Sequence, residues 1–278
     1  MASRFPALID RASQEAAGID RVELLRLAER AAVAAAGLIK DSEVELEPSL
    51  KDDGGGLVTN LDYAVEECIR EELIADRPSD GFRGEELSSV MGESEVEWIV
   101  DPIDGTNNLI AGLPHWSISI AAAVHGRVEV GVVNAPALGQ MYGAYTGGAV
   151  KTDGCHPSML PRSAPELCDA VVATGFAPSR TARAEQMNQL DRVVGEVRDV
   201  RCHGAASLEL CGVAFGRLDA YYEAHLQLWD VAAAALIATE AGIDVSGQPW
   251  SGAGTLIAAP AALVDPLRCL VDLSDANG

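Results

Sequence analysis

From about residue 21 to 40 the apolar positions recur every three or four residues: Val22, Leu24, Leu25, Leu27, Ala28, Ala31, Ala32, Ala35, Leu38 and Ile39. That spacing predicts an amphipathic helix. The stretch Lys51-Asp52-Asp53-Gly54-Gly55-Gly56 interrupts the pattern and reads as a flexible loop. Thr59-Asn60-Leu61-Asp62 then has the composition of a helix start, with Leu61, Val65, Cys68, Ile69 and Leu73 as its apolar stripe. Asp62, Glu66 and Glu67 complement the positive end of that helix.

The short apolar run Trp98-Ile99-Val100 predicts a strand that leads into Asp101-Pro102-Ile103-Asp104-Gly105-Thr106. Residues 116–150 switch to strand-like runs broken by Gly, Asn and Pro, the pattern of a hairpin-rich sheet. A loop is expected at 153–166. Beyond it the pattern predicts strands near 170–174, 219–223 and 254–258, and helices near 181–196, 204–215, 230–241 and 260–271. No internal repeat or low-complexity tract interrupts the chain. The mixture predicts layered α and β elements in one unit spanning residues 1–278, with 1–150 and 151–278 as sublobes.

Composition narrows the classes. The 278 residues are 48% hydrophobic, enough for a sizeable buried core. No apolar run reaches the ~18 residues a membrane helix needs. The start, Met1-Ala2-Ser3-Arg4-Phe5, lacks the apolar core of a signal peptide, so a cytoplasmic location and no membrane partner are expected. The 6 cysteines and 5 histidines are dispersed, which argues against a zinc site or a disulfide framework. Net charge is −22, and 25 of the 42 acidic residues fall within residues 1–110. Nucleic acid is therefore not an expected partner. An anionic substrate would need cations to bind with it.

Carboxylates gather where the chain changes direction: Gly84-Glu85-Glu86, the segment Asp101–Thr106, Trp229-Asp230, and the region around Lys51 and Asp62. Within the central segment, Pro102 prevents normal strand pairing and Gly105 permits a sharp turn. If Thr106-Asn107-Asn108-Leu109 opens a helix, the N–H groups near Gly105 and Thr106 form an anion site. Asp101 and Asp104 would hold Mg²⁺ beside it, because hard cations prefer carboxylate and carbonyl oxygens. Each residue also has a plainer reading. Asp230 suits an N-cap of a helix Val231–Ala241, Asp62 a helix-start charge, Glu223 a strand-end charge and Lys51 a loop lysine. Glu86 suits an exposed or supporting place, and Trp229 suits packing.

Taken together and in this order, these motifs resemble the inositol monophosphatase family, within the lithium-sensitive, Mg²⁺-dependent phosphatases that include fructose-1,6-bisphosphatases. The resemblance covers roughly residues 20–260. It rests on Lys51, Leu57-Val58-Thr59 with Asp62, Gly84-Glu85-Glu86, Trp98 through Asn108, Ala220-Tyr221-Tyr222-Glu223 and Trp229-Asp230-Val231-Ala232-Ala233. It implies an α+β fold, a layered α-β-α-β-α sandwich, and a homodimer. It implies that Glu85, Asp101 and the Ile103 carbonyl bind one Mg²⁺, that Asp101, Asp104 and Asp230 bind a second, and that Glu85 helps hold a weaker third. Asp62 would support that third ion through water, with Lys51 as a counter-charge. Gly105 and Thr106 would donate backbone N–H groups to phosphate. The Thr106 hydroxyl, with Glu85, would orient and deprotonate the attacking water, and Glu223 would bind a substrate hydroxyl.

The implied reaction is hydrolysis of a small phosphate monoester, inositol-1-phosphate first. Histidinol phosphate, fructose-1,6-bisphosphate and 3′-phosphoadenosine 5′-phosphate are the rivals, and lithium is expected to inhibit. The chain departs from the family at Gly56, where Asp is usual before Leu-Val-Thr, and at Asn107-Asn108-Leu109, where Thr-Asn-Phe is frequent. His225 and Gln227 make the lining near Glu223 individual. A haloacid-dehalogenase-type phosphatase would need one residue between its aspartates, whereas two separate Asp101 from Asp104. A phosphatase-like regulatory protein that only binds a partner is the alternative of another class.

Overall fold

The first amphipathic pattern forms α1, Arg21–Asp41, in the computed structural model, which describes residues 19–42, 46–51, 56–154, 164, 166–248 and 254–272. Asp20 caps α1, accepting from the N–H groups of Val22 and Glu23 at 2.9 and 3.2 Å, donors that a first turn leaves free. A ribbon of β1 (Ser49–Leu50) and β2 (Leu57–Val58) leads to α2 (Asn60–Asp76). Of the glycine-rich loop expected at 51–56, only Lys51 and Gly56 are described. Most of the loop expected at 153–166 likewise lies outside the described residues.

Six strands follow in one sheet: β3 (Gly81–Gly84), β4 (Val96–Asp104), β5 (Ser117–Val124), β6 (Arg127–Ala135), β7 (Gln140–Tyr145) and β8 (Lys151–Asp153), adjacent in that order. The short helix α3 (Thr106–Ile110) links β4 to β5. A second sheet has the order β10-β9-β11-β13-β12. Its strands are β9 (Val171–Thr174), β10 (Asp199–Arg201), β11 (Ala220–Ala224), β12 (Asp244–Ser246) and β13 (Thr255–Ala259). Between and after them come α4 (Arg180–Val194), α5 (Ala206–Ala214), α6 (Leu228–Glu240) and α7 (Ala261–Val271).

Side-chain alternation along the strands sets the layers. On β4, Trp98 and Val100 pack with α1 and α2, while Ile99 joins the core that holds α5 and α6. On β11, Tyr221 faces that same central core and Tyr222 faces the outer core with Leu263 and Leu267 of α7 and Val193 of α4. The stack is therefore α-β-α-β-α, the layered sandwich expected. Helix α6 lies in the middle, and every residue from Val231 to Ala238 is buried, as befits a helix apolar on all sides. Its alanines let the six-stranded sheet come close. A Cβ at Gly131 of β6 would collide with the Ala233 carbonyl oxygen and would lie 2.8 Å from its Cα.

Two expectations are corrected. The strand read at Trp98–Val100 runs through Pro102 to Asp104, although pairing with β5 does slip, from Asp101 opposite Ser119 to Asp104 opposite Ser117. The helix read from residue 230 begins at Leu228, so Asp230 is its third residue and not its N-cap. No described helix is long and apolar enough to cross a membrane.

Candidate active site

A cavity of ≈ 720 Å³ opens where β3, β4, α3, α5, β11 and α6 end or begin. Its walls include Glu85, Asp101, Ile103, Asp104 and Asp230, and also Gly105, Thr106 and Lys51, with Glu223 among them. The structure thus gathers residues from four distant segments. Asp62 is not on the wall. It is buried behind Thr106, whose hydroxyl lies 3.0 Å from Asp62 Oδ1 and 3.0 Å from the Ile103 carbonyl oxygen.

Helix starts hold three of the carboxylates in place. Asp62 Oδ2 accepts the Thr59 N–H at 2.8 Å, closing a capping box on α2. Asp104 reaches across to the start of α5, accepting from Ser207 N at 2.8 Å and Ala206 N at 3.3 Å as well as from the Ser207 hydroxyl. Asp230 Oδ2 accepts the Gln227 N–H at 2.6 Å at the start of α6. Asp101 is fixed locally instead, with Oδ1 taking the Ile103 N–H at 3.0 Å. At the turn itself Gly105 has φ 97°, a left-handed conformation that favours glycine. A Cβ there would also approach the His115 carbonyl oxygen to 2.9 Å.

Burial dominates the electrostatics, and crowding of like charges adds to it. Burial, then the charges of Glu85, Asp104 and Asp230, push the Asp101 carboxyl well above the usual carboxylate range. Asp104 is raised to about 7 by burial, against its Ser207 hydrogen bonds, with Glu85 adding to the rise. Asp230 is raised by burial and then by Glu85 and Asp104. Across the cavity, burial raises Glu223 to about 8 while the Tyr221 hydroxyl, donating at 2.7 Å, opposes it. The Lys51 ammonium bonds Glu85 Oε1 at 2.5 Å and Glu86 Oε1 at 2.6 Å. Burial works against its charge, but the two carboxylates outweigh that and hold it above the usual lysine range.

The donor set fits a hard divalent cation: it is all oxygen, and its mutual repulsion is what a cation would relieve. Among the described residues no group of three or more His, Cys, Asp or Glu stands ready-made around a metal. Glu85 is turned to Lys51, and Asp104 and Asp230 to helix starts, so loading a cation exchanges contacts.

Sequence reasoning missed several contributors. Ser207 anchors Asp104 from 103 residues away, and nothing in its own neighbourhood marks it. Glu66, expected to complement the start of α2, is buried and accepts the backbone of the Glu85 loop instead. Of the two places read for Glu86, the supporting one is found: 4% of its side chain is accessible beside Lys51. Trp229 packs against the central core, as its plainer reading had it, and also lines the cavity.

The family model for the inositol monophosphatase family matches residues 20–270. An inositol-1-monophosphatase of Mycobacterium leprae is 41% identical over 232 residues, covering 80% of this chain and 79% of that protein. The Nus factor SuhB of Pasteurella multocida is 36% identical over 251 residues, 87% and 92% of the two chains. Among solved structures, the extragenic suppressor protein suhB of Bartonella henselae superposes with a TM-score of 0.82 at 31% identity, covering 91% of this chain and 99% of the other. With this match running through both sheets and every segment of the cavity wall, the chain belongs to the inositol monophosphatase family.

Proposed function

We propose that this chain is a Mg²⁺-dependent phosphatase that hydrolyses a small phosphate monoester by direct attack of water, with inositol-1-phosphate as the favoured substrate. The observation that carries the reading is the convergence of Glu85, Asp101, Asp104 and Asp230 on one cavity wall, with Glu223 on the same cavity. Glu85, Asp101, Asp104, Asp230 and the Ile103 carbonyl would hold the cations, two or three in number. Bound there, they would cancel phosphate charge and make water more acidic.

The chain's own groups do the rest. The first N–H groups of α3, at Gly105 and Thr106, have no carbonyl one turn earlier and suit phosphate oxygens. With its proton directed to Asp62, the Thr106 hydroxyl turns a lone pair toward the cavity and orients water there. Glu85 takes the proton of that water. The new P–O bond forms as the ester P–O bond breaks, and the departing alcohol takes up a proton. Glu223, held by Tyr221, receives a hydroxyl of the leaving group. The M. leprae relative's name favours an inositol phosphate as that ester.

The test is phosphate release from a panel of small monoesters with Mg²⁺ and with chelator. Release from inositol-1-phosphate, abolished by chelator, is expected. Turnover confined to another ester would overturn the substrate alone. No release from any ester would favour partner binding, a role in keeping with the P. multocida relative's name. A phospho-aspartate trapped on Asp101 would overturn direct attack by water.

A further inference from the structure

We infer that Glu66 is a positioning residue: its carboxylate grips the backbone of the Glu85 loop and thereby sets the cation affinity of the cavity. The inference rests on the reading of Glu85 as a cation ligand. Glu66 is fully buried on α2, one turn after Asp62. Its Oε2 accepts the Glu86 N–H at 2.8 Å and its Oε1 the Leu87 N–H at 2.9 Å. Two successive backbone donors thus grip the two oxygens of one carboxylate.

A side chain present only to fill space would not be an acid, because a buried carboxylate is costly unless hydrogen bonds satisfy it. The glycine before the loop completes the fit. Any Cβ at Gly84 would overlap the Glu66 carboxyl group, so residue 84 must be glycine for the backbone to lie against it. Strand β3 pairs within the sheet only with β4, and the loop beyond it is closed at its base by the Phe82–Val90 bridge. At its tip the loop is held by Glu66. With the backbone N–H groups turned inward to Glu66, the Glu85 side chain is left on the cavity wall and the Glu86 side chain beside Lys51. Asp62 and Glu66 are four residues apart, one above the other on α2. One helix face therefore holds both Thr106 and the Glu85 loop in register.

The test uses Glu66→Gln, which keeps the shape but sets an amide NH₂ against backbone donors, and Glu66→Met, which removes the acceptors. Hydrogen exchange is followed by mass spectrometry without metal, and phosphate release is titrated with Mg²⁺. Losing one or two charge-assisted hydrogen bonds predicts exchange about 10-fold faster in peptides covering Glu85–Leu87, and about a 10-fold higher half-saturating Mg²⁺, with most of the rate recovered at saturation. Exchange in β5 and α6 stays as in the unaltered protein. Unchanged exchange at Glu85–Leu87, an unchanged Mg²⁺ requirement, or acceleration spread over the whole fold would each overturn the inference. An unaltered protein that released no phosphate at all would instead overturn the functional reading, and the exchange experiment would still decide whether Glu66 holds the loop.

Discussion

The Thr106 hydroxyl lies 3.0 Å from Asp62 Oδ1, while Asp62 Oδ2 takes the N–H and the hydroxyl of Thr59. One buried carboxylate therefore caps α2 and braces the phosphate end of the cavity. A helix start is a sound support for this, because its free N–H groups stabilise a negative charge without a cationic side chain that would compete with substrate.

Splitting the two duties of Asp62 gives opposite outcomes. Thr59→Ala removes a capping hydroxyl and is expected to cost about 1 kcal/mol of stability with turnover nearly unchanged. Thr106→Ala is expected to lower turnover by about 10²-fold or more with little change in stability, because it removes the group that orients water. Asp62→Asn should show both losses. Denaturant melts and initial rates on the three variants check this. Full turnover in Thr106→Ala would remove Thr106 from the mechanism.

Asp101→Asn separates stability from activity in a different way. Burial, and after it the charges of Glu85, Asp104 and Asp230, raise the pKa of Asp101 well above the ordinary value. An acid held above its unfolded pKa destabilises the fold once pH exceeds that unfolded value, and removing its charge relieves the penalty. With chelator at pH 8, the variant is expected to melt no lower than the unaltered protein. Activity is expected to fall by at least about 10²-fold, because a cation ligand is gone. Added Mg²⁺, which stabilises by mass action, should raise the melting point of the unaltered protein more than that of the variant. Unchanged turnover would refute the ligand assignment, and a lower metal-free melting point would refute the penalty.

How much could be read beforehand depended on how local the cause was. The helix at Arg21–Asp41 and the buried helix through Val231–Ala238 announce themselves by apolar spacing and by length. Asp101 and Asp104 were legible because strand, proline and glycine stand side by side in six residues. The strands β3, β10 and β12 were not, being short segments whose pairing is decided by neighbours. Ser207 and Glu66 escaped for the same reason. Their partners lie 103 and 20 residues away, and a hydroxyl or a helix glutamate looks like any other until the fold brings the partner up.

The centre of the sandwich makes a packing prediction. Gly131 lies against the α6 backbone, where an added Cβ would collide with the Ala233 carbonyl oxygen. Backbone cannot step aside as a flexible side chain can, so Gly131→Ala is expected to cost about 1–3 kcal/mol. Because α6 also carries Asp230, a shift of the helix is expected to raise the Mg²⁺ requirement as well. Denaturant melts and a Mg²⁺ titration check the pair. A stability within experimental error of the unaltered protein would refute the packing cost at Gly131.

The loops carrying His115 and Gly204 meet beside Gly105. Asn108 Nδ2 donates to the carbonyl oxygens of His115 and His203, each at 2.6 Å, and the two imidazoles stack with centroids 4.8 Å apart. His203 Nδ1 bonds the buried Glu209 carboxylate at 2.9 Å, and that bond raises the pKa of His203 against the opposing effects of burial and Arg201. His115, by contrast, is lowered by burial and by His203. The stability supplied by the His203–Glu209 pair is therefore present in full below the unfolded pKa of about 6.5 and lost as pH rises through the higher folded value. Glu209→Gln keeps the shape and removes the charge. The stability gap between unaltered protein and variant, from denaturant melts, is expected to be widest near pH 6 and to close by pH 9. The His203 imidazole signal in a proton NMR titration is expected to move to lower pKa in the variant. A gap that stayed constant across that range would show that Glu209 supports the loop through its His203 N–H bond and not through charge.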